Sequence, residues 1–350
     1  MELFQPNNLS RVRSEFTSVY DLNLCGELSA ALNSCYDLTD LSSFRVSSFV
    51  GANVLSQNFL VEIGSKCYFL KWRRAEQQNN LKQEAELAAG LTKLGSKVPR
   101  VICTKVGNHV CSWKGSCCAL YVFEEGNYYT GQGRELDSAA AAFGELTATA
   151  ARLLAKHLQT RPAAAGGFLE DLDRLLQEAS INTDPAVANL CQEHHRMILE
   201  QLEEVRAKRA LVEKEFLPMH LDYHPLNLLM RDGEVGCILD LEHLKPYPVL
   251  AGLGFAGYKL IRQAMVNEQV RADEFANPSL VRRWLAGWAE SFPQIKFSPT
   301  ELGLGARYHI LSLIHFILGA WLRRGDARFN YDLAKQIGSL YEIEAIAARY

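Results

Sequence analysis

The sequence has no strong charge of either sign: 37 Lys and Arg stand against 40 Asp and Glu, a net charge of −3 over 350 residues. That balance removes the electrostatic case for nucleic acid or an anionic membrane as a partner. The start, "MELFQPNNLSRVRSEF", lacks the charged-then-apolar progression of a secretory leader. Long apolar runs are scarce as well. The most apolar late run, Ile310 to Leu322, is too short to span a bilayer and reads as a buried helix. Nine cysteines lie scattered without metal-type pairs, which points to a reducing cytoplasm. Cys117 and Cys118, beside Ala119 and Leu120, read as buried strand residues rather than a redox pair. Repeats are absent, and the one biased tract, "RPAAAGG" from Arg161, reads as a surface loop.

What is present comes in two styles. Between Phe44 and Phe123 lie the β-like runs "FRVSSFV", "NFLVEIG", "KCYFLKWR", "VPRVICTK" and "CCALYVF". One helix interrupts them over residues 78–94, with Leu81, Ala85, Leu87, Ala88 and Leu91 approximating one stripe and Gly95 as its stop. Residues 10–36 read as a helical N-terminal extension. Beyond Gly126 the chain is mostly helical, apart from a hairpin in which Asn227–Met230 and Val235–Leu239 flank an Asp-Gly turn. The layout predicts an α+β chain of two lobes. A small antiparallel-sheet lobe with one helix covers 1–125, and a larger helical lobe covers 126–350.

Polar residues cluster around the predicted hairpin in "HLDYHPLNLLMRDGEVGCILD". A fixed His-x-Asp-x4-Asn pattern arises by chance on the order of 0.02 times in a chain this long. Hard oxygen donors from Asn227 and Asp240 suit Mg²⁺ shared with substrate phosphates. Asp222, on the loop before the hairpin, is placed to accept the proton of an attacking hydroxyl. Lys71 ends an apolar strand, where a fixed ammonium meets phosphate. Thirteen residues on, Glu84 is a candidate to hold that lysine extended, with Glu86 as a competitor. Gly51, Ser56 and Asn58 in "FVGANVLSQNF" form a glycine-poor loop whose backbone and small side chains can approach phosphates.

Together "HLDYHPLNLLM", "GCILDLEH", "CYFLKW", "EAELAAGLTKLGSKVPRV" and "LYVFEEG" resemble, in order, the aminoglycoside phosphotransferase and choline kinase-like family. The resemblance spans roughly residues 44–245. It implies a protein-kinase-like fold and transfer of the γ-phosphate of ATP to a hydroxyl, with Mg²⁺. By that likeness Asp222 is the base, Asn227 and Asp240 hold the metal, and Lys71 and Glu84 orient the phosphates. The segment Tyr121–Gly126, with Tyr121, Phe123 and Glu124, corresponds to the hinge whose backbone holds adenine. The family often has an acid opening the helix after the metal-binding Asp; here "YPVLAGLGFAGYKL" has none.

Two other readings compete. A pseudokinase would hold nucleotide without transfer, yet it has no need of Asp222. A metallohydrolase built on His220, Asp222, His224, Asp240 and His243 would leave Lys71 and Glu84 unexplained, and His224 beside Pro225 reads as loop packing. Residues 251–350 carry 12 Lys and Arg against 9 Asp and Glu. That excess favours a neutral, zwitterionic or acidic metabolite over a polycationic aminoglycoside antibiotic as acceptor. Sugars, amino sugars, amino alcohols and hydroxy amino acids all remain open.

Overall fold

A computed structural model describes residues 16–18, 22–38, 44–49, 57–155, 166–182, 184–267, 278–325 and 330–347. The chain divides into two compact units. One runs to Tyr129 and adds Leu226–His243; the other joins Thr130–Pro225 to Leu244–Tyr350.

The first unit is built on a six-stranded antiparallel sheet ordered β1-β2-β3-β4-β6-β5. Its strands are β1 (Phe16–Ser18), β2 (Arg45–Phe49), β3 (Gln57–Ile63), β4 (Lys66–Arg74), β5 (Cys111–Trp113) and β6 (Ser116–Val122). Side chains alternate across this sheet with the period of two that a pleated strand imposes. Tyr68, Leu70 and Trp72 of β4 join Phe59, Val61, Cys118 and Leu120 in one core. Helix α1 (Leu22–Cys35) covers that core with Leu28, Ala31 and Leu32. Phe69 and Lys71 alternate to the opposite face. There helix α2 (Gln78–Lys93) packs, and so does a small sheet of β7 (Asn127–Tyr128), β9 (Leu228–Arg231) and β10 (Glu234–Ile238). Asp232 and Gly233 both take positive φ, 52° and 78°, as a tight hairpin turn requires. A bulge between Val235 and Cys237 absorbs Gly236.

Sequence expectations fail here in three places. Part of the expected N-terminal helix is strand: Phe16–Ser18 pairs antiparallel with β2, Phe16 opposite Phe49, and within 10–36 residues 10–15 and 19–21 lie outside the described residues. "VPRVICTK" forms no strand, only an isolated bridge from Val101 to Tyr121. Pro99 has no N–H for a ladder, and the two bonds that form, Ile102 N–H to Leu120 O and Val122 N–H to Arg100 O, stop there. The cysteines are not all scattered, since Cys35 of α1 and Cys111 of β5 are joined as a disulfide. Cys117 and Cys118 are buried strand residues as expected, and burial pushes the Cys118 thiol up to about 12.

The second unit is helical, with α3 (Glu135–Leu153), α4 (Phe168–Asn182), α5 (Pro185–Ala207) and the short α6 (Arg209–Val212) before the hairpin insertion. After it come α7 (Val249–Asn267), α8 (Pro278–Ser291), α9 (Pro299–Arg324) and α10 (Asn330–Ala347). One unexpected two-stranded sheet pairs β8 (Phe216–His220) with β11 (Leu244–Pro248). Its sequence signal is masked because Pro218 and Pro246 face each other across the ladder. Helix α7 carries glycines where neighbours press closest. A Cβ on Gly254 would lie 2.4 Å from the Leu302 carbonyl oxygen of α9, and one on Gly252 would lie 2.9 Å from the Met219 side chain of β8. Helix α9 is long and apolar enough to cross a membrane by composition, but 72% of its most apolar window is buried in the protein. Of the "RPAAAGG" loop, residues 161–165 lie outside the described residues.

Candidate active site

In the sheet unit the period-two alternation sets Lys71 on the face away from α1. Its neighbours across the ladder are Asn58 on β3 and Ala119 on β6. Helix α2 buries Leu81, Glu84, Ala85, Ala88 and Leu91. Glu84 therefore stands inside the apolar stripe, three residues from Leu81 and four from Ala88. Its carboxylate meets the Lys71 ammonium at 2.6 Å, with both side chains under a tenth exposed. Glu86 points away and pairs at 3.7 Å with exposed Lys82. The Lys71 ammonium also lies 3.2 Å from Asp240 Oδ1. Burial works against its charge, but Glu84 and Asp240 outweigh burial and raise its pKa. A buried ion pair is a poor source of stability, because desolvation consumes most of the attraction. One that also faces a cavity has the properties of a tool.

That cavity, about 250 Å³, is walled by Phe69, Ala88, Phe123, Leu229 and Leu239, with Asn58, Lys71, Glu84, Glu124, Asn227 and Asp240 as its polar lining. Tyr121 also lines it, and its hydroxyl is buried with no hydrogen-bond partner among the described residues. Burial holds that phenol well above its ordinary pKa. An orphaned buried hydroxyl costs free energy until something polar meets it. Asn58 Oδ1 accepts from Arg73 Nη1 at 3.1 Å. The segment expected to serve as hinge is tied to β9 by Arg231, whose guanidinium donates to the Glu124 carboxylate at 2.5 Å and to the Glu125 carbonyl at 2.8 Å. Gly51 and Ser56 lie outside the described residues.

Asn227 and Asp240 bracket the hairpin, and the Leu239 N–H donates to the Asn227 carbonyl at 2.9 Å. Asp240 adopts φ 59°, a left-handed conformation that Asp tolerates better than most residues. Such strain is common where a side chain must be aimed. An amide oxygen and a carboxylate, both hard donors and few in number, fit Mg²⁺ and not a thiolate-seeking metal. Glu242, missed in the sequence, is held down to about 2 by its bond to His243 and by Lys71. Its signal was its place two residues after Asp240.

The helical unit holds the other candidates. Asp222 follows β8 in a turn, half-exposed, and its N–H donates to buried His220 Nδ1 at 3.2 Å. The His220 ring lies edge-on to Tyr223, centroids 5.8 Å apart. The Tyr223 hydroxyl donates to the Ala139 carbonyl of α3 at 2.8 Å. So the loop is braced through His220 and Tyr223, and α7 comes close to β8 at Gly252. His224, expected to pack in the loop, is partly buried there, and its Nε2 lies 3.4 Å from Asp222 Oδ2.

The sequence matches the profile of the phosphotransferase enzyme family over residues 48–290. Among solved structures, a spectinomycin phosphotransferase in complex with ADP and spectinomycin aligns at 14% identity and TM-score 0.66, covering 92% of this chain and 97% of that one. An amicoumacin kinase in complex with AMP-PNP and Ca²⁺ aligns at 15% identity and TM-score 0.59, covering 93% of each. A choline kinase from Cryptosporidium parvum aligns at 13% identity and TM-score 0.57, covering 92% and 96%. These likenesses establish the protein-kinase-like fold. No curated protein matches the sequence.

Proposed function

The chain belongs to the phosphotransferase enzyme family, and from that premise we propose that it transfers the γ-phosphate of ATP to a hydroxyl of a small polar metabolite. The observation that carries this reading is the Lys71 ammonium, held between Glu84 at 2.6 Å and Asp240 at 3.2 Å on the lining of a cavity with apolar walls. A cation fixed by two carboxylates has its direction set before a phosphate arrives, so no side-chain entropy is lost on binding. The apolar walls and the hinge at Tyr121–Gly126 take the base of the nucleotide. Asn227 and Asp240 would hold Mg²⁺, which would supply positive charge against the phosphate oxygens.

Asp222 takes the proton. As the acceptor oxygen bonds to the γ-phosphorus, the bond from that phosphorus to the departing ADP oxygen breaks, and the hydroxyl proton passes to the Asp222 carboxylate. His224, with its Nε2 3.4 Å from Asp222 Oδ2, is placed to orient that carboxylate. The test is ADP release from ATP and Mg²⁺ across a panel of small hydroxyl metabolites, wild type beside Asp222→Asn. Acceptor-dependent release that disappears in the variant is expected. No acceptor-dependent release, or release undiminished in Asp222→Asn, contradicts the reading.

A further inference from the structure

Lys259 on α7 is a second partly buried lysine, and transfer chemistry gives it no task. Its ammonium lies 5.2 Å from the ring centre of Phe255 and 5.1 Å from that of Tyr258. Among the described residues it makes no hydrogen bond or ion pair. The groups whose charge reaches it are Lys335, Arg262, Glu342 and Asp222. Two of these are cations. Glu342 is already engaged by Arg262 at 2.8 Å and by the Tyr258 hydroxyl. Asp222 is the base, turned toward His224.

An ammonium drawn partly out of water, with two cations near it and no hydrogen-bond acceptor among the described residues, is costly unless an anion meets it. Ring faces recover only part of that cost. Burial and the two neighbouring cations lower the Lys259 pKa to about 7. A lysine serving only to brace the Asp222 loop would gain more from a direct ion pair, and none is formed.

We infer that Lys259 receives the carboxylate of the phosphoryl acceptor, which makes that acceptor a hydroxy acid or a hydroxy amino acid. The inference rests on reading Asp222 as the base, because Lys259 lies within reach of the Asp222 charge and the hydroxyl to be phosphorylated must come to Asp222. One acceptor then bridges the two, carboxylate on Lys259 and hydroxyl on Asp222. Lys335, exposed on α10, adds positive potential on the same side.

The test uses the full-length protein and a series of hydroxy acids and hydroxy amino acids of three to six carbons. Each is paired with its carboxamide and with the corresponding alcohol lacking the carboxylate, and phosphorylated alcohols form a third arm. Binding is measured by calorimetry, and turnover is measured separately. An acid is expected to bind better than its carboxamide, and Lys259→Gln should weaken the acid by about 10–100-fold, the worth of a charge-assisted hydrogen bond. Lys259→Gln should leave the carboxamide unchanged and raise KM far more than it lowers kcat, and Lys259→Arg should recover part of the loss. Lysine-dependent binding of an acid with no turnover would remove the transfer reading of Asp222 and keep the anion site. Turnover of neutral or phosphorylated acceptors in preference to every acid would keep the enzyme and overturn the carboxylate. Equal loss of kcat for all acceptors in Lys259→Gln would make it a positioning residue for Asp222 and overturn the inference as well.

Discussion

Each unit draws one lysine at least partly out of water, and they do so in opposite ways. In the sheet unit Lys71 touches two carboxylates, and its charge is reinforced. In the helical unit Lys259 has two rings for neighbours and two cations nearby, and its pKa falls to about 7. The first lysine is complete before any ligand arrives. The second is left incomplete, and a cation without its anion describes the ligand that is missing. Pairing within the fold marks a part of the machinery, and absence of pairing marks a receptor.

The largest effect should come from the base. Asp222→Asn replaces a half-exposed carboxylate by an isostere and keeps the N–H bond to His220, so thermal stability should change little. Turnover should fall about 10²–10⁴-fold. Near-wild-type turnover in this variant would take Asp222 out of the mechanism.

Next come the partners of Lys71. Lys71→Ala strands Glu84 in the core, and breaking a buried pair in this way costs about 3–5 kcal/mol. Replacing both with apolar residues of similar volume, Lys71→Met with Glu84→Leu, should recover most of that stability while turnover stays lost. Glu84→Gln should lower turnover and Glu86→Gln should not, and Lys71→Ala added to Glu84→Gln should add little. Losses that simply sum across the double variant would separate the two residues. Lys259 should behave oppositely: Lys259→Met, which removes an uncompensated charge, should raise the midpoint of thermal unfolding.

The pH dependences of the two lysines should diverge too. The Lys259 pKa is lowered from its ordinary 10.5 to about 7, so the unfolded chain holds more protons across that window. Stability from this group therefore rises with pH between the two values. Affinity for a carboxylate acceptor runs the other way, greatest when Lys259 is protonated and falling toward tenfold per pH unit above about 7. Lys71, with its pKa raised, contributes fully below 10.5 and loses its contribution only as pH rises through the folded value. It should add no pH dependence near neutrality. A flat pH profile of acceptor affinity from 6 to 9, with Lys259 intact, would erase the contrast. The smallest effect concerns the brace. Tyr223→Phe gives up the bond to the Ala139 carbonyl, about 1 kcal/mol in chemical denaturation.

Much of this was legible in the sequence, for physical reasons particular to each element. The strands at Asn58–Ile63 and Lys66–Arg73 were readable because one face is packed on α1 and the alternation is clean. Glu84 could have been separated from Glu86 by spacing alone, since only Glu84 shares the stripe of Leu81 and Ala88. Strands β8 and β11 were hidden because three prolines occupy ten residues of pairing. The bridge at Val101 looked like a strand because apolar content alone does not reveal a ladder cut short after Pro99. His224 was discounted because a neighbour of proline in a loop carries no periodic signal. Lys259 was invisible as a site: a lysine in an apolar helix reads as a solvent-facing residue until its neighbours are known.

The central claim is a division of labour in which the sheet unit holds the nucleotide phosphates and the helical unit supplies the base. Its most direct test is a calorimetric titration of Mg·AMP-PNP into wild type, Asp240→Ala, Asn227→Ala and Asp222→Asn. Asp240→Ala should lose the most affinity and Asn227→Ala less, because a carboxylate neutralises more charge than an amide. Asp222→Asn should bind as wild type does. Undiminished binding by Asp240→Ala beside lost binding by Asp222→Asn would contradict that division.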